Sequence, residues 1–215
     1  MFQRICRKKD MNQFKERIRE FYKTYEKGKD GRKIYKGSIA SKERKEYLYL
    51  GTVTCFVIDE NNNVLVERRG KTETEPGELD LVSGHIDSNE TSTQAMIREY
   101  VEEVHDGSEE EREKARSEAS QNLKKLLELD LTFLNDEGKT DKYFIQFYAL
   151  RTNLKTVTIK KDEVEKIEWL PLEEVFELIR QGKINLQYDK RHEKIFQQVR
   201  EYSQGKNKEI QKELA

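Results

Sequence analysis

The chain has 215 residues and is rich in charged side chains, which make up 39% of it against 34% for hydrophobic ones. Its 41 Lys and Arg residues nearly balance its 42 Asp and Glu residues, giving a formal net charge of -1 at pH 7. This balance excludes a general electrostatic attraction to nucleic acid or to an anionic membrane. Ten Tyr and nine Phe residues remain to build a core. No apolar stretch is long enough to span a bilayer.

The two cysteines lie in different sequence contexts. Cys55 stands inside an apolar run and is interpreted as a small core residue, whereas Cys6 lies among basic residues. A disulfide scaffold is therefore not expected, and this favours a reducing compartment. We expect a cytoplasmic protein.

The first part of the chain predicts a helix followed by a linker. Apolar and aromatic residues recur at helical spacing from about Asp10 to Glu26, which predicts an amphipathic helix ended by the glycines that follow. Residues Lys29 to Glu46 are polar and basic and are interpreted as a connector. Residues 1–46 are thus predicted to be an N-terminal helix and a basic linker.

The character of the chain changes at Tyr47. Tyr47 to Ile58 is rich in β-branched and aromatic residues, and a turn-forming run separates it from Val64 to Arg69, so the pair predicts a hairpin. A loop that turns at Pro76 and Gly77 leads to a short apolar segment, Leu79 to Ser83. A helix is predicted from Thr91 to Val104, with Ser92 as its N-cap.

The second half of the chain alternates predicted helices and strands. A stretch rich in Glu, Lys and Ala, Ser108 to Leu129, predicts a helix that we interpret as an insertion. Short apolar runs predict strands at Leu131–Leu134, Lys142–Arg151, Val157–Ile159 and Ile167–Leu170. Pro171 suits the first turn of a helix to about Gln181, and a last helix covers Lys190 to Tyr202.

Helices and strands in mixed order predict an α+β protein, an α/β/α sandwich with a mixed β-sheet between helices. The main domain is placed at residues 47–204, with residues 108–129 as the helical insertion. Residues 205–215 are predicted to form a C-terminal tail.

The helix from Thr91 to Val104 carries the most informative pattern. On a helical wheel Glu99, Glu102 and Glu103 fall on one face. The apolar side chains Ile97, Tyr100, Val101 and Val104 cluster on the opposite face. One face is therefore suited to burial, while the other holds three carboxylates at positions i, i+3 and i+4.

Carboxylates at this spacing repel one another, and a bound divalent cation reverses the sign of the effect. Mg²⁺ prefers oxygen ligands and takes a few carboxylates together with water and substrate phosphate. A carboxylate cluster without His or Cys favours Mg²⁺ or Mn²⁺ over zinc. The alternative interpretation is a solvated, Glu-rich helix face.

The complete pattern resembles the Nudix box, G-x5-E-x7-R-E-U-x-E-E-x-G-U, where U is apolar. The matching residues, with Tyr100 in an apolar slot, are Gly84, Glu90, Arg98, Glu99, Glu102 and Glu103. Two positions depart from the pattern, because His105 replaces the final Gly and Asp106 the last apolar residue. That Gly lets a chain leave a helix in a left-handed turn. Gly107 is predicted to do so here, lengthening the helix slightly.

The resemblance extends beyond the box, over about Tyr47 to Tyr202. Residues 65–69 and 76–85 look like the strand and loop that lead into the box in this family. Residues 168–174 look like its late strand running into a helix. The resemblance implies the Nudix fold for the main domain.

The resemblance also implies roles for the box residues. In the family, the residues at Glu99 and Glu103, commonly with Glu102, coordinate the catalytic metals. Arg98 pairs with box carboxylates and orients them, and Glu90 belongs to that network or lies near the metal. Gly84 lets backbone approach the site, where its carbonyl or that of Ser83 is a candidate ligand.

Further candidates lie outside the metal face. Arg68 and Arg69 end a strand beside the box and suit phosphate oxygens, and His85 is placed at the pocket wall. The general base varies across the family and stays open, with candidates Glu102, Asp162, Glu163 and Glu165. The candidate substrate-binding residues are Arg68, Arg69, Gly84, His85, Glu163 and Glu165.

The function implied by the resemblance is hydrolysis of a diphosphate bond in a nucleoside diphosphate linked to another moiety. Mg²⁺ is the expected cofactor, and Mn²⁺ is expected to substitute for it. The partner is a small nucleotide-type molecule, although capped RNA is among the family's substrates, and a homodimer is a common assembly. No membrane partner is expected.

Two other functions stay open. Isopentenyl-diphosphate isomerase has a related fold, but it uses a cysteine where this chain has Leu81, Val82 and Ser83. A non-catalytic Nudix-fold binding or regulatory module is the second. Such modules usually lose box carboxylates, which this chain keeps, and turnover in the presence of Mg²⁺ distinguishes the two cases.

Overall fold

The computed structural model describes residues 21–30, 32–40, 48–71, 75–134, 140–153 and 157–205. Within these ranges the strands are β1 Phe21–Lys27, β2 Lys33–Ala40, β3 Tyr49–Ile58, β4 Asn63–Arg69, β5 Leu79–Asp80, β6 Val82–His85, β7 Lys124–Leu134, β8 Thr140–Arg151 and β9 Val164–Pro171. The helices there are α1 Ser92–Val104, α2 Glu109–Asn122, α3 Leu172–Arg180 and α4 His192–Ser203. None of these helices has the length and apolar character required to cross a membrane.

All nine strands of the described ranges join one mixed sheet, with β3 at its centre. β8 runs parallel to β3 along nearly its whole length, from Leu50 opposite Tyr143 to Ile58 opposite Arg151. β1, β6 and β4 pair antiparallel with successive parts of β3. β2 extends the sheet beyond β1, β7 beyond β8, and β5 and β9 beyond β4. The predicted α+β fold with a mixed sheet between helices is confirmed.

The sheet buries a hydrophobic core on each face. On one face Phe56 packs beneath Phe176 of α3 and Phe196 of α4, whose rings stack with their centroids 4.2 Å apart. On the other face the apolar sides of α1 and α2 pack on the sheet. Neighbouring residues of a strand point to opposite faces, so Leu65 faces α1 while Val64 and Val66 face the other core.

The predicted N-terminal helix is wrong where it can be compared, because Phe21 to Lys27 form strand β1. Residues 10–20 lie outside the described ranges. The predicted linker is also wrong over Lys33 to Ala40, which form β2 and pair with β1; residues 31 and 41–47 are not described. Tyr22 and Tyr25 are three residues apart, which fits the helical period and not the strand period of two. Pairing with β2 and β3 nevertheless makes this segment a strand, with a register shift between Thr24 and Tyr25.

The predicted helix from Ser108 to Leu129 is too long. α2 ends at Asn122, and the following residues form β7, which pairs with β8 across a bulge between Lys125 and Glu128. The Glu, Lys and Ala composition favours a helix locally. Leu129 and Leu131 are buried by the sheet pairing instead, so a tertiary contact overrides local propensity.

Several smaller boundaries also differ. Predicted strand Val157–Ile159 is reduced to a single bridge between Thr158 and His105. The segment Leu79–Ser83 is divided between β5 and β6, and α1 is capped by Thr91 and not by Ser92.

The helix α1 ends at Val104 without the glycine of the Nudix pattern, and Gly107 does not lengthen it. His105 occupies the C-cap with φ -132° and ψ 44°, a conformation open to any residue. Its ring is buried, and Nε2 lies 3.0 Å from the Tyr100 hydroxyl. The strand-like bridge to Thr158 therefore ends the helix where a left-handed glycine was expected.

Candidate active site

The acidic face of α1 is fixed by the burial of its other face. Thr91 and Gln94 form a capping box at the start of the helix, which satisfies backbone N–H groups that would otherwise lack partners. The buried apolar side chains are Ala95, Met96, Tyr100, Val101 and Val104. Their packing turns Glu99 and Glu103 toward the strand β6, while Glu102 lies partly exposed beside Arg98.

Gly84 allows Glu99 to lie directly against β6. It pairs with Val53 of the central strand, so its position is set by the sheet. A Cβ atom built at Gly84 would overlap the carboxyl group of Glu99. The glycine of the box is therefore required here by close packing and not by an unusual backbone angle.

Arg98 binds the box loop and the acidic face together. It donates two hydrogen bonds to the Glu90 carboxylate, at 2.7 and 3.1 Å, and one to the His85 carbonyl at 2.9 Å. It also pairs with Glu99 at 2.8 Å and with Glu102 at 3.5 Å. The planar guanidinium group can make these contacts at the same time. Together they hold the box loop against the helix α1.

The N-terminal hairpin supports the same loop from the other side. Lys23 of β1 donates a hydrogen bond of 2.6 Å to the Glu90 carbonyl, and its backbone N–H donates to the Ile86 carbonyl at 3.0 Å. The ring of Tyr22 stacks on His85 with centroids 4.2 Å apart. Residues outside the box thus help to hold it.

Glu103 lies in a strongly acidic environment. Its carboxylate accepts a hydrogen bond of 3.3 Å from the Ser83 backbone N–H. Burial, followed by the negative charges of Glu67 and Glu99, raises its pKa well above the ordinary range. Burial likewise raises the pKa of Glu99 to about 8, against the opposing influence of Arg98. Excess negative charge is the main electrostatic property of the site.

Two acidic residues outside the box add to this charge. Glu67 of β4 and Asp80 of β5 are opposite each other in the sheet register and are buried. Asp80 pairs with Arg69 at 2.5 Å. Burial and the neighbouring Asp80 raise the pKa of Glu67 well above its usual value.

The acidic side chains do not converge as they stand. Within the described ranges, no three His, Cys, Asp or Glu side chains are already arranged around a common metal position. Arg98 draws the Glu99 carboxylate toward itself, and the Ser83 N–H holds that of Glu103. The side chains share one face of the site. For Glu99 and Glu103 to bind one ion together, the Glu99 carboxylate has to turn away from Arg98.

A cavity of about 460 Å³ opens beside Glu103. Glu103, Asp80 and Arg69 form its acidic end together with the Gly84 backbone. The rest of its wall combines aromatic rings, hydroxyls and amides, from Tyr22, Thr52, Thr54, His85, Tyr143, Asn185 and Gln187. A group with charged and planar parts can be held in such a cavity.

The residues predicted from the sequence divide into two sets. Those that line the cavity are Arg69, Gly84, His85 and Glu103. Arg68 points elsewhere, since it donates a hydrogen bond of 2.7 Å to the Gly77 carbonyl and lies 4.0 Å from Glu168. Glu102 is partly exposed beside Arg98.

The acidic residues proposed as alternative general bases, Asp162, Glu163 and Glu165, differ in their surroundings. Lys160 binds the carboxylate of Glu163, and the Glu163 carbonyl accepts from the Gly70 N–H at 2.7 Å. Glu163 is close enough to the site to raise the pKa of Glu67 and Glu103. Asp162 and Glu165 are exposed.

Sequence reasoning did not single out Tyr22, Glu67 or Asp80. Tyr22 was assigned to a helix, which hid its place beside the box. A signal for Glu67 was present, since it follows Leu65 by two residues and so shares its buried face. An acidic residue at a core-facing strand position is unusual and marks a site of interest.

A larger hollow of about 750 Å³ lies between the end of α2, β8 and the end of α4. Its described lining includes Lys124 and Arg151 but no Asp, Glu, His or Cys. The smaller cavity beside Glu103 is therefore the candidate active site.

Comparison with known proteins identifies the family of the chain. Residues 48–191 match the family model of the NUDIX domain. No curated protein is similar enough in sequence to count as a match.

The solved structure of DR0079 from Deinococcus radiodurans has 20% identity and a TM-score of 0.52, covering 75% of this chain and 90% of its own. The NUDIX domain of Shewanella oneidensis NrtR, complexed with ADP ribose, has 18% identity and a TM-score of 0.48, covering 76% and 92%. The MutT protein from Methanosarcina mazei Go1 has 16% identity and a TM-score of 0.46, covering 74% and 95%. At these identities the likeness concerns the fold.

Proposed function

Because the chain belongs to the NUDIX domain family and is thereby a pyrophosphohydrolase, we propose that it uses Mg²⁺ to hydrolyse the diphosphate bond of a nucleoside diphosphate linked to another moiety. The resemblance found in the sequence is confirmed by the family match over residues 48–191. The substrate class, the identity of the metal and the roles of individual residues are parts of the proposal, as are a cytoplasmic location and a homodimer.

The observation that carries the proposal is the position of Glu103 at the acidic end of the cavity. The carboxylates that surround it raise its pKa together with burial. The excess negative charge fits a hard divalent cation with oxygen ligands, because such a cation removes the repulsion that these carboxylates exert on one another. Glu67 supports the fit, since its Oε1 is buried without a hydrogen-bond partner.

Glu99 and Glu103, with Glu102, are the residues proposed to hold the metal, and the carbonyl of Gly84 or Ser83 is the proposed backbone ligand. Arg98 keeps the box loop in place through Glu90 and the His85 carbonyl. When bound, the metal supplies neutralisation of the diphosphate charge and a lower pKa for the attacking water. In this proposal the helix face supplies the negative charge that binds the metal, and the contacts with the loop set the orientation of the carboxylates.

For proton removal from water we propose Glu102. Its side chain is 27% exposed, and its 3.5 Å contact with Arg98 is the longest that Arg98 makes with a box glutamate. Glu163 is held by Lys160, and Glu165 is exposed on β9, so both are less suited. Glu102→Gln is expected to lower turnover more than metal affinity, because Glu99, Glu103 and a backbone carbonyl remain to hold the metal while proton removal loses its base.

The wall of the cavity supports a nucleotide-type substrate. The buried Thr52 hydroxyl has no hydrogen-bond partner, so it is available to a polar group of the substrate. The rings of Tyr22, His85 and Tyr143 offer surfaces for a planar group. Arg69 lies at the acidic end and suits phosphate oxygens.

The alternatives receive less support. Cys55 is fully buried in β3, and Leu81, Val82 and Ser83 stand where the isomerase places its cysteine. A binding module that lost catalysis would be expected to lack box carboxylates, and this chain retains them.

The test is product release from a panel of nucleoside diphosphate conjugates and nucleoside triphosphates, with Mg²⁺ and with chelator. Glu103→Gln removes one charge at nearly constant shape and is expected to lower turnover by orders of magnitude, since a metal ligand is lost. Glu174→Gln, an exposed change on α3, is the matched control and should keep native turnover.

Metal-dependent cleavage of one class of compound, lost only in Glu103→Gln, would support the proposal and name the substrate class. Native turnover in Glu103→Gln would show that the metal site has been misassigned. Absence of cleavage across the panel by folded protein would favour the binding module.

A further inference from the structure

Glu67 is a buried acid with one carboxylate oxygen, Oε1, that makes no hydrogen bond in the fold. Its side chain lies in β4, which pairs with β5 at Asp80 and with β9 at Ile167. Glu67 is only 4% exposed, yet its Oε1 atom has no hydrogen-bond partner. Burying a polar oxygen without a partner is costly, so the residue calls for an explanation that the sheet alone does not give.

The face of the strand directs Glu67 toward the catalytic helix. Side chains two residues apart in a strand share a face, and Leu65 packs in the core beneath α1. Glu67 therefore projects to the same side of the sheet as Leu65, the side that α1 covers. The mutual electrostatic influence of Glu67, Glu99 and Glu103 agrees with this placement.

The charges around Glu67 are mostly negative. Asp80, Glu99 and Glu163 act on it together with Glu103, while Arg69 is the cation that opposes them. Arg69, however, binds the Asp80 carboxylate. The nearest positive charge is thus already paired with another acid.

Protonation alone does not complete this site. A protonated carboxyl group has an O–H that requires an acceptor and a second oxygen that can accept from a donor. The buried Oε1 atom of Glu67 has no partner of either kind. A divalent cation satisfies a carboxylate oxygen and offsets the neighbouring charges at the same time.

We propose that Glu67 is an additional metal-binding carboxylate, outside the Nudix box, which completes the metal site together with Glu103. This inference rests on the proposed metal-dependent function. It makes strand β4 a part of the metal site, alongside the helix α1 and the loop after β6. Asp80 then serves to hold Arg69 at the cavity, where it meets the substrate.

The experiment measures Mn²⁺ binding to the full chain by electron paramagnetic resonance and calorimetry, without substrate. Glu67→Gln keeps the shape of the side chain and removes its charge. We expect Mn²⁺ affinity to fall on the order of tenfold or more. The melting temperature of the metal-free protein should stay equal or rise, because an amide costs less to bury than a carboxylate. Glu174→Gln is the control for loss of one negative charge far from the site.

Two results would overturn the proposal. One is native Mn²⁺ affinity in Glu67→Gln; the other is a fall in the metal-free melting temperature large enough to account for the lost Mn²⁺ affinity by unfolding, which indicates a structural role. Glu103→Gln separates the two levels of inference. Loss of Mn²⁺ binding in Glu103→Gln with native binding in Glu67→Gln leaves the proposed function standing and removes Glu67 alone. Absence of Mn²⁺ binding by the native chain removes both.

Discussion

The smallest side chain of the site controls the position of a much larger one. Gly84→Ala would place a methyl group where the Glu99 carboxylate lies, and because β6 is held by β3 the glutamate must move. We expect turnover to fall on the order of a hundredfold, since displacing a reacting group by about 1 Å has that effect. Steady-state kinetics and Mn²⁺ titration on the purified variant measure it.

The matched control is Gly205→Ala at the end of α4. Gly205 has φ +71° and open space around it, so an added methyl causes backbone strain of about 1–2 kcal/mol without a collision. Its stability should fall while kcat stays native. Native turnover and Mn²⁺ affinity in Gly84→Ala would show that the position of Glu99 is unimportant.

At the scale of residues, the sequence predicted correctly the carboxylates that lie together on one helix, α1. The spacing of Glu99, Glu102 and Glu103 allowed their shared face to be worked out from helical geometry. Glu67 and Asp80 are brought together by the register between β4 and β5, and that register depends on the loop between them. The spacing of apolar residues within a strand does not indicate which residues of another strand lie opposite it. The sequence therefore did not indicate that these two acids are neighbours.

At the scale of elements, α1 depends on its cap as well as on its packing. Thr91 and Gln94 bond reciprocally at its first turn. Thr91→Ala should lower the free energy of unfolding by about 1 kcal/mol, whereas Thr91→Ser keeps the hydroxyl and should lose much less. Urea denaturation with an unchanged m-value measures the difference. Equal stabilities of the two variants would contradict the assigned cap.

Elements were predicted well where local pattern and tertiary pairing agree. β3, β4 and α1 fall close to their predicted bounds because their apolar periods match the faces they bury. β1, β2 and the first part of β7 were misassigned for one reason. Each lies at or near the edge of the sheet, where pairing with a distant strand, and not a strong local period, sets the conformation.

At the scale of the whole molecule, stability should depend on the protonation of one buried ring. His192 at the start of α4 is fully buried, packs against Phe147 and Phe196, and has an Nε2 atom without a hydrogen-bond partner. Burial lowers its pKa below the ordinary value. The unfolded chain therefore binds the proton more tightly, and the contribution of this neutral ring to stability is lost as pH falls below about 6.5.

The measurement is the melting temperature between about pH 7.5 and pH 5.5. His192→Gln should start lower but lose less over this interval than the native chain. Lys194→Gln, an exposed change on the same helix, should follow the native slope. Parallel curves for the native chain and His192→Gln would show that this ring does not titrate in the interval.

The parallel pairing of β3 with β8 has a consequence for synthesis. The helix α1 lies between these strands in sequence, so it is synthesised before β8 exists. Until β8 arrives, one edge of the central strand is open, and distant contacts of this kind form slowly. We expect the acidic helix to acquire its fixed place late, when the last third of the chain has been made.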